Sequence, residues 1–198
     1  SSNSSYVFRS IVHNSGALYV SGTFTQLGAA ARTNAAKLAL DGALDASWNP
    51  TIVGGDANAM VSDGAAIYLA GAFTQVNGTA RQRAAKLSLD TATVDPSWAP
   101  SFNSVVFDLA VDGGFLYGIG CFNQVNSVSR DFLARVSTAG VGTLDVTWNP
   151  APNIGCTNGL TVNASHVYVG GSFTALGGSA AGGIGRVSKT GTGSLDAT

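Results

Sequence analysis

The 198-residue chain carries 26 Gly, 10 Lys or Arg and 11 acidic residues, all of them Asp, for a formal net charge of −1. With no Glu, one Met and 11% charged residues it lacks the straight-chain helix formers that amphipathic helices and coiled coils require, and its 45% apolar content excludes disorder. Near-neutral charge without a Lys/Arg run excludes electrostatic capture of nucleic acid, and no apolar stretch nears the roughly 18 residues that span a bilayer, so membrane insertion is not expected.

The chain repeats itself four times with a period near 50, which divides it into repeats over 1–50, 51–100, 101–150 and 151–198. It opens on Ser1 to Phe8, a segment similar to Ser101 to Phe107, and its only Met is Met60. Repeat one then shows Tyr19, Gly22-Thr23-Phe24, Lys37, Leu44-Asp45 and Trp48-Asn49-Pro50. Repeat two shows Tyr68, Gly71-Ala72-Phe73, Lys86, Val94-Asp95 and Trp98-Ala99-Pro100. Repeat three shows Tyr117, Gly120-Cys121-Phe122, Arg135, Leu144-Asp145 and Trp148-Asn149-Pro150. Repeat four shows Tyr168, Gly171-Ser172-Phe173, Arg186 and Leu195-Asp196, and the chain stops just before a fourth Trp would fall. The Phe-to-Phe steps are 49, 49 and 51 residues. Both termini thus fall in the same junction, as in four repeats cut from a longer array; a closed ring of four is the alternative.

Within a repeat the pattern is strand-like. In repeat three, Val106 to Val111 ends at Asp112-Gly113-Gly114 and the apolar run resumes at Phe115 to Gly120, which reads as a β-hairpin. A looser connection from Gln124 to Arg130 leads to Phe132 to Ser137, with a period-two alternation, and then to Thr143 to Trp148, stopped by Asn-Pro. Each repeat thus predicts about four antiparallel strands and no helix. Fifty residues in four strands cannot close a core alone, so each repeat must bury its apolar face on its neighbour. The expected fold class is all-β, a β-propeller-type repeat of four blade-like units, since propeller blades are four-stranded sheets of about 40–50 residues. A parallel β-helix fits less well, because its coils are shorter and lack hairpin turns such as Asp63-Gly64.

The consensus Tyr-Val-x-Gly-x-Phe-Thr, then a basic residue, then Leu-Asp-x-x-Trp-Asn-Pro, best matched at Tyr168 to Thr174 and Leu44 to Pro50, resembles the delta-60 repeat of β-propeller-like domains in bacterial extracellular proteins. It also resembles the propeller-like ectodomain of fungal cortical cell-polarity markers. The delta-60 pattern more often carries Phe where Trp48, Trp98 and Trp148 stand, and repeat four has Ala181 in the register of Arg32, Arg81 and Arg130. The resemblance implies an extracellular or cell-surface repeat scaffold with no catalytic residue set.

The repeated pairs Lys37 and Asp45, Lys86 and Asp95, Arg135 and Asp145, and Arg186 and Asp196 read as structural ion pairs, with a ring of charge around a channel as the alternative. Trp48, Trp98 and Trp148 read as inter-blade packing, with stacking on a sugar face as the alternative. Cys121 and Cys156 are candidates for a disulfide pinning neighbouring blades, with two buried thiols as the alternative. Asn3, Asn77 and Asn163 begin glycosylation sequons. His13 and His166 fall at non-equivalent hairpin positions, and Asp-bearing turns such as Gly54-Gly55-Asp56 are suited to Ca²⁺ only as lone carboxylates. G-x-S-x-G, H-E-x-x-H and a phosphate loop are all missing, so no enzyme activity, cofactor or metal is expected. The reading is an extracellular structural scaffold whose partners are its own neighbouring repeats or further copies, with a glycan-binding adhesin module as the alternative.

Overall fold

The computed structural model describes residues 6–196. Asn3 lies outside the described residues. Those residues form no helix, and their strands are antiparallel. The chain divides into two compact units, Ser1–Ala99 and Pro100–Thr198.

The first unit holds two main three-stranded sheets and a small one that joins Ile52–Val53 to Gln75–Val76 and Thr79–Ala80. β1 (Val7–Asn14), β2 (Ala17–Thr23) and β3 (Ala35–Ala39) form one, and β4 (Ala57–Ser62), β5 (Ala66–Gly71) and β6 (Ala84–Ser88) form the other. The second unit repeats the two main sheets with β7 (Val106–Asp112), β8 (Phe115–Gly120) and β9 (Leu133–Ser137), then β10 (Thr157–Val162), β11 (His166–Gly171) and β12 (Ile184–Ser188). In every sheet the second strand is central. The connection read as loose after Gly-x-Phe folds into a two-residue ribbon, as at Gln124–Val125 against Val128–Ser129.

The first strand of each sheet slips by one residue at the same place, between Phe8 and Ser10, Ala57 and Ala59, Val106 and Asp108, and Thr157 and Gly159. This bulge explains the glycine of Gly-x-Phe. A Cβ on Gly71 would lie 2.0 Å from the Asp56 carbonyl oxygen, and one on Gly120 would lie 2.1 Å from that of Val105. No side chain fits there.

The expected fourth strand is reduced to one bridge. Leu44, Val94, Leu144 and Leu195 each bridge the third strand of their own sheet, and the ladder ends at the next amide, as where Asp145 N–H donates to Arg135 O at 3.1 Å. The cause is local. The Asp145 carboxylate accepts the amides of Thr147 and Trp148 at 2.9 and 3.2 Å, so those donors turn inward to the side chain instead of pairing with a strand. Asp45 and Asp95 do the same for residues 47 and 48 and for residues 97 and 98.

The larger core of each unit lies between its two sheets. In the first unit Tyr19, Ala35 and Trp48 of repeat one pack with Met60, Ile67, Leu69 and Phe73 of repeat two. In the second unit Tyr117, Leu133 and Trp148 pack with Val167, Val169, Phe173 and Val187. Most of the burial, the dominant favourable term, is thus shared across the junction, while the sheet of repeat one also carries a smaller cluster of its own in Val20, Phe24 and Ala36.

Candidate functional site

In repeats one and three the repeated polar residues converge on one place, the junction with the next repeat of the same unit. In repeat one, β2 supplies Tyr19, β3 supplies Lys37, and the turn after Leu44 supplies Asp45 and Trp48. Lys37 Nζ lies 3.2 Å from Asp45 Oδ2 and also donates to the Leu89 carbonyl at 3.1 Å. The Tyr19 hydroxyl donates to the same carbonyl at 2.8 Å, and Trp48 Nε1 donates to Ser88 O at 3.0 Å. The Tyr19 and Trp48 rings meet edge to face, with centroids 5.2 Å apart.

The second unit repeats this set with Arg for Lys. Arg135 donates from Nε and Nη2 to Asp145 Oδ2 at 2.9 and 2.6 Å, and from Nη1 to the Lys189 carbonyl at 2.5 Å. Trp148 Nε1 donates to Ser188 O at 2.8 Å. The guanidinium lies against the Trp148 and Phe115 rings at 5.1 and 4.4 Å. Lys86 and Asp95 approach to 3.7 Å, and Arg186 and Asp196 to 2.8 Å. Asp45, Asp95 and Asp145 therefore do two jobs with their two oxygens: Oδ2 holds the cation and Oδ1 shapes the turn that delivers the Trp.

Trp48, Trp98 and Trp148 are all 0% exposed. This corrects the sugar-stacking alternative, since a buried indole offers no face to a pyranose. Packing accounts for all three, with Trp98 meeting Tyr68 at 5.3 Å.

A second row completes the turn. Arg32, Arg81 and Arg130 are 7%, 6% and 3% exposed. Their guanidinium groups donate to main-chain carbonyls of the same turn: Arg32 to Asp45 O at 3.1 Å, Arg81 to Asp95 O at 2.7 Å, and Arg130 to Trp148, Asp145 and Val146 at 3.1, 3.3 and 3.1 Å. Recurrence in three of four repeats was the only signal in the sequence.

Features found in one repeat only also serve the junctions. Lys189 pairs with Asp112. Asp108 accepts the amides of Leu109 and Leu160 at 2.8 and 2.9 Å, which ties repeat three to repeat four, and burial pushes its carboxyl above the usual range. His166 Nε2 sits 2.9 Å from Asp196 Oδ2, while His13 is exposed on β1. Among the described residues no three His, Cys, Asp or Glu side chains gather as around a metal ion. The Asn77 amide group donates to Ala92 O at 2.9 Å and that of Asn163 to the Tyr168 hydroxyl at 3.0 Å. Asp56 lines a groove of about 350 Å³ with Tyr6, Thr25 and Asn34.

Cys121 and Cys156 are joined in a disulfide. In the first unit the equivalent positions are Thr23 and Asp56, so the bridge is an addition to one junction. Closing a 35-residue separation restricts the unfolded chain by roughly 3–4 kcal/mol in the loop-entropy treatment. Replacing both cysteines by Ser is expected to lower the second unit's unfolding free energy by about that amount and to leave the first unit unchanged. Guanidinium unfolding followed by hydrogen exchange in each unit checks it.

Acid should loosen the same junctions. The Ser47 hydroxyl hydrogen bond, opposed in part by burial and aided by the Ser47 amide and Lys37, holds Asp45 down to about 2. Asp145 is lowered although burial opposes it, because the bonds from Arg135 and the turn amides outweigh burial. A depressed carboxylate contributes stability that is fully present above its unfolded value of 3.8 and is lost as pH falls through its folded value. The melting temperature is therefore expected to fall from pH 5 toward 2, and less steeply in Asp45→Asn. Thermal melts by circular dichroism across that range measure both.

No curated protein and no solved structure matches the chain. Residues 13–47 match the family model described as "Domain of unknown function (DUF5122) beta-propeller". That segment holds Tyr19, Gly22, Phe24, Lys37 and Asp45, the residues whose spacing recurs in all four repeats. Consistent with the delta-60 resemblance, the chain is an all-β repeat protein of β-propeller type.

Proposed function

We propose that the chain is a non-enzymatic extracellular structural repeat scaffold. The supporting observation is that the side chains repeated in register are spent on the fold: the four Lys/Arg and Asp pairs are bonded to each other, and Trp48 and Trp148 bond to backbone in the next repeat. A disulfide supports an oxidising compartment. Electron microscopy of the purified chain tests the reading, with ordered self-association as the expected result.

A glycan-binding module is the second reading. It rests on the groove lined by Tyr6, Thr25, Asn34 and Asp56, whose lining is not matched in every repeat. Glycan-array binding lost in Asp56→Ala, with folding retained, would favour it over the scaffold.

A further inference from the structure

The junction that a disulfide pins in the second unit is built differently in the first. Thr23 and Asp56 stand at the positions of Cys121 and Cys156, and both border a cavity of about 350 Å³ between repeats one and two. Two polar groups there are left over. Thr23 Oγ1 is buried and bonds to nothing among the described residues. Asp56 has no cation within ion-pair distance among those residues, whereas Asp45, Asp95, Asp112, Asp145 and Asp196 each hold one. A buried hydroxyl without a partner destabilises the fold unless something in the cavity bonds to it.

The rest of the lining selects the ligand. No Lys, Arg or His borders the cavity, so nothing there balances an anion, and one carboxylate does not make a divalent-cation site, which usually takes several. Thr25 and Thr33 add hydroxyls, and the half-exposed Tyr6 adds an aromatic face. Asn34 fixes the walls: its Oδ1 accepts the Phe24 amide at 3.0 Å, and its Nδ2 donates to the Gly55 carbonyl at 3.2 Å, which ties repeat one to the loop that carries Asp56. A carboxylate acceptor flanked by hydroxyls and an aromatic ring matches a neutral pyranose, with hydroxyl donors on its edge and C–H groups on its face. The volume lies near the lower end of the roughly 300–1,000 Å³ usual for small-molecule sites, so it admits one sugar ring rather than a chain of them.

We propose that this cavity is a subsite for one neutral pyranose residue, with the Asp56 carboxylate accepting two adjacent sugar hydroxyls and Thr23 Oγ1 bonding to a further sugar oxygen. The proposal rests on the glycan-binding reading and names the groups that make the contact. It also confines the site to the first unit. In the second, Asn123 and Asp131 replace Thr25 and Thr33, Phe132 replaces Asn34, and the disulfide takes the place of the polar pair.

The test is saturation-transfer NMR of the full chain with the methyl glycosides of glucose, mannose and galactose, and with methyl glucuronide as the anionic counterpart. It is run on the unchanged protein, Asp56→Asn and Thr23→Val. At least one neutral glycoside is expected to bind at about 1 mM, and the glucuronide at least about 10-fold more weakly, because its carboxylate meets that of Asp56. Asp56→Asn should weaken the neutral glycoside by about 10-fold or more and narrow its advantage over the glucuronide. Thr23→Val, which exchanges an unbonded hydroxyl for a methyl group of the same shape, should weaken it by about 3- to 10-fold while keeping the parent's melting temperature, and so separates loss of the site from loss of the fold. Neutral-glycoside binding unchanged in both variants would overturn the assigned subsite and leave the glycan reading in place. Absence of saturation transfer to every neutral glycoside would overturn both.

Discussion

Trp148→Ala should destabilise the second compact unit by about 3–5 kcal/mol, the range for truncating a large buried aromatic side chain. Trp148 is 0% exposed, meets Tyr117 edge to face at 5.4 Å, lies beneath the Arg135 guanidinium and donates to Ser188 O. Its removal leaves a cavity in a core shared by two repeats, together with an unpaired carbonyl. Trp148→Phe separates the contributions, because it retains most of the packing while losing the indole N–H. That variant is expected to cost about 1–3 kcal/mol, the penalty for an unsatisfied buried group. Denaturant titrations of the three proteins give both numbers. A Trp148→Ala midpoint within error of the parent would contradict the packing described here.

Arg130→Ala is expected to cost a similar amount, about 3–5 kcal/mol, because it leaves three main-chain carbonyls without their donor, at roughly 1–3 kcal/mol for each that is buried. Three carbonyls, those of Asp145, Val146 and Trp148, depend on this guanidinium. Arg130→Lys keeps the charge but not the planar fork, and one ammonium cannot serve three carbonyls in that geometry, so most of the loss should remain. Repeat four carries Ala181 at this position and provides the internal comparison. Arg130 donates to the main-chain carbonyl of Trp148, which Trp148→Ala keeps, so the two Ala substitutions couple through the turn that both side chains hold, with a coupling of roughly 0.5–3 kcal/mol in the double variant. Additive losses would show that the guanidinium and the indole act separately.

The period, the Gly-x-Phe anchor and the hairpins were legible in the sequence because each has a short-range physical cause. A glycine must face the bulge, and Gly113-Gly114 has both φ angles positive, at 58° and 80°, as a two-residue turn between twisted strands requires. The missing fourth strand was not legible from apolar alternation, since Thr143 to Trp148 alternates well enough to pass as a strand. Its signature was polar: Asp45, Asp95 and Asp145 each precede Ser or Thr by two residues, the spacing at which a carboxylate captures amides. The role of the Trp row turned on burial, which depends on the neighbouring repeat rather than on the residue's own segment. The link from Lys189 to Asp112 left no trace at all, because Leu40, Leu89 and Thr138 occupy the Lys189 position elsewhere.

That each repeat holds its fold only through its neighbour is tested most directly by native-state hydrogen exchange on the second unit of Trp148→Ala. The substitution lies in repeat three, yet the amides of β11 in repeat four should lose protection together with those of β8. The common loss should be about 10²–10³-fold or more, the equivalent of the destabilisation given above. Retention of parental protection in β10, β11 and β12 while β7, β8 and β9 open would show that repeat four stands alone.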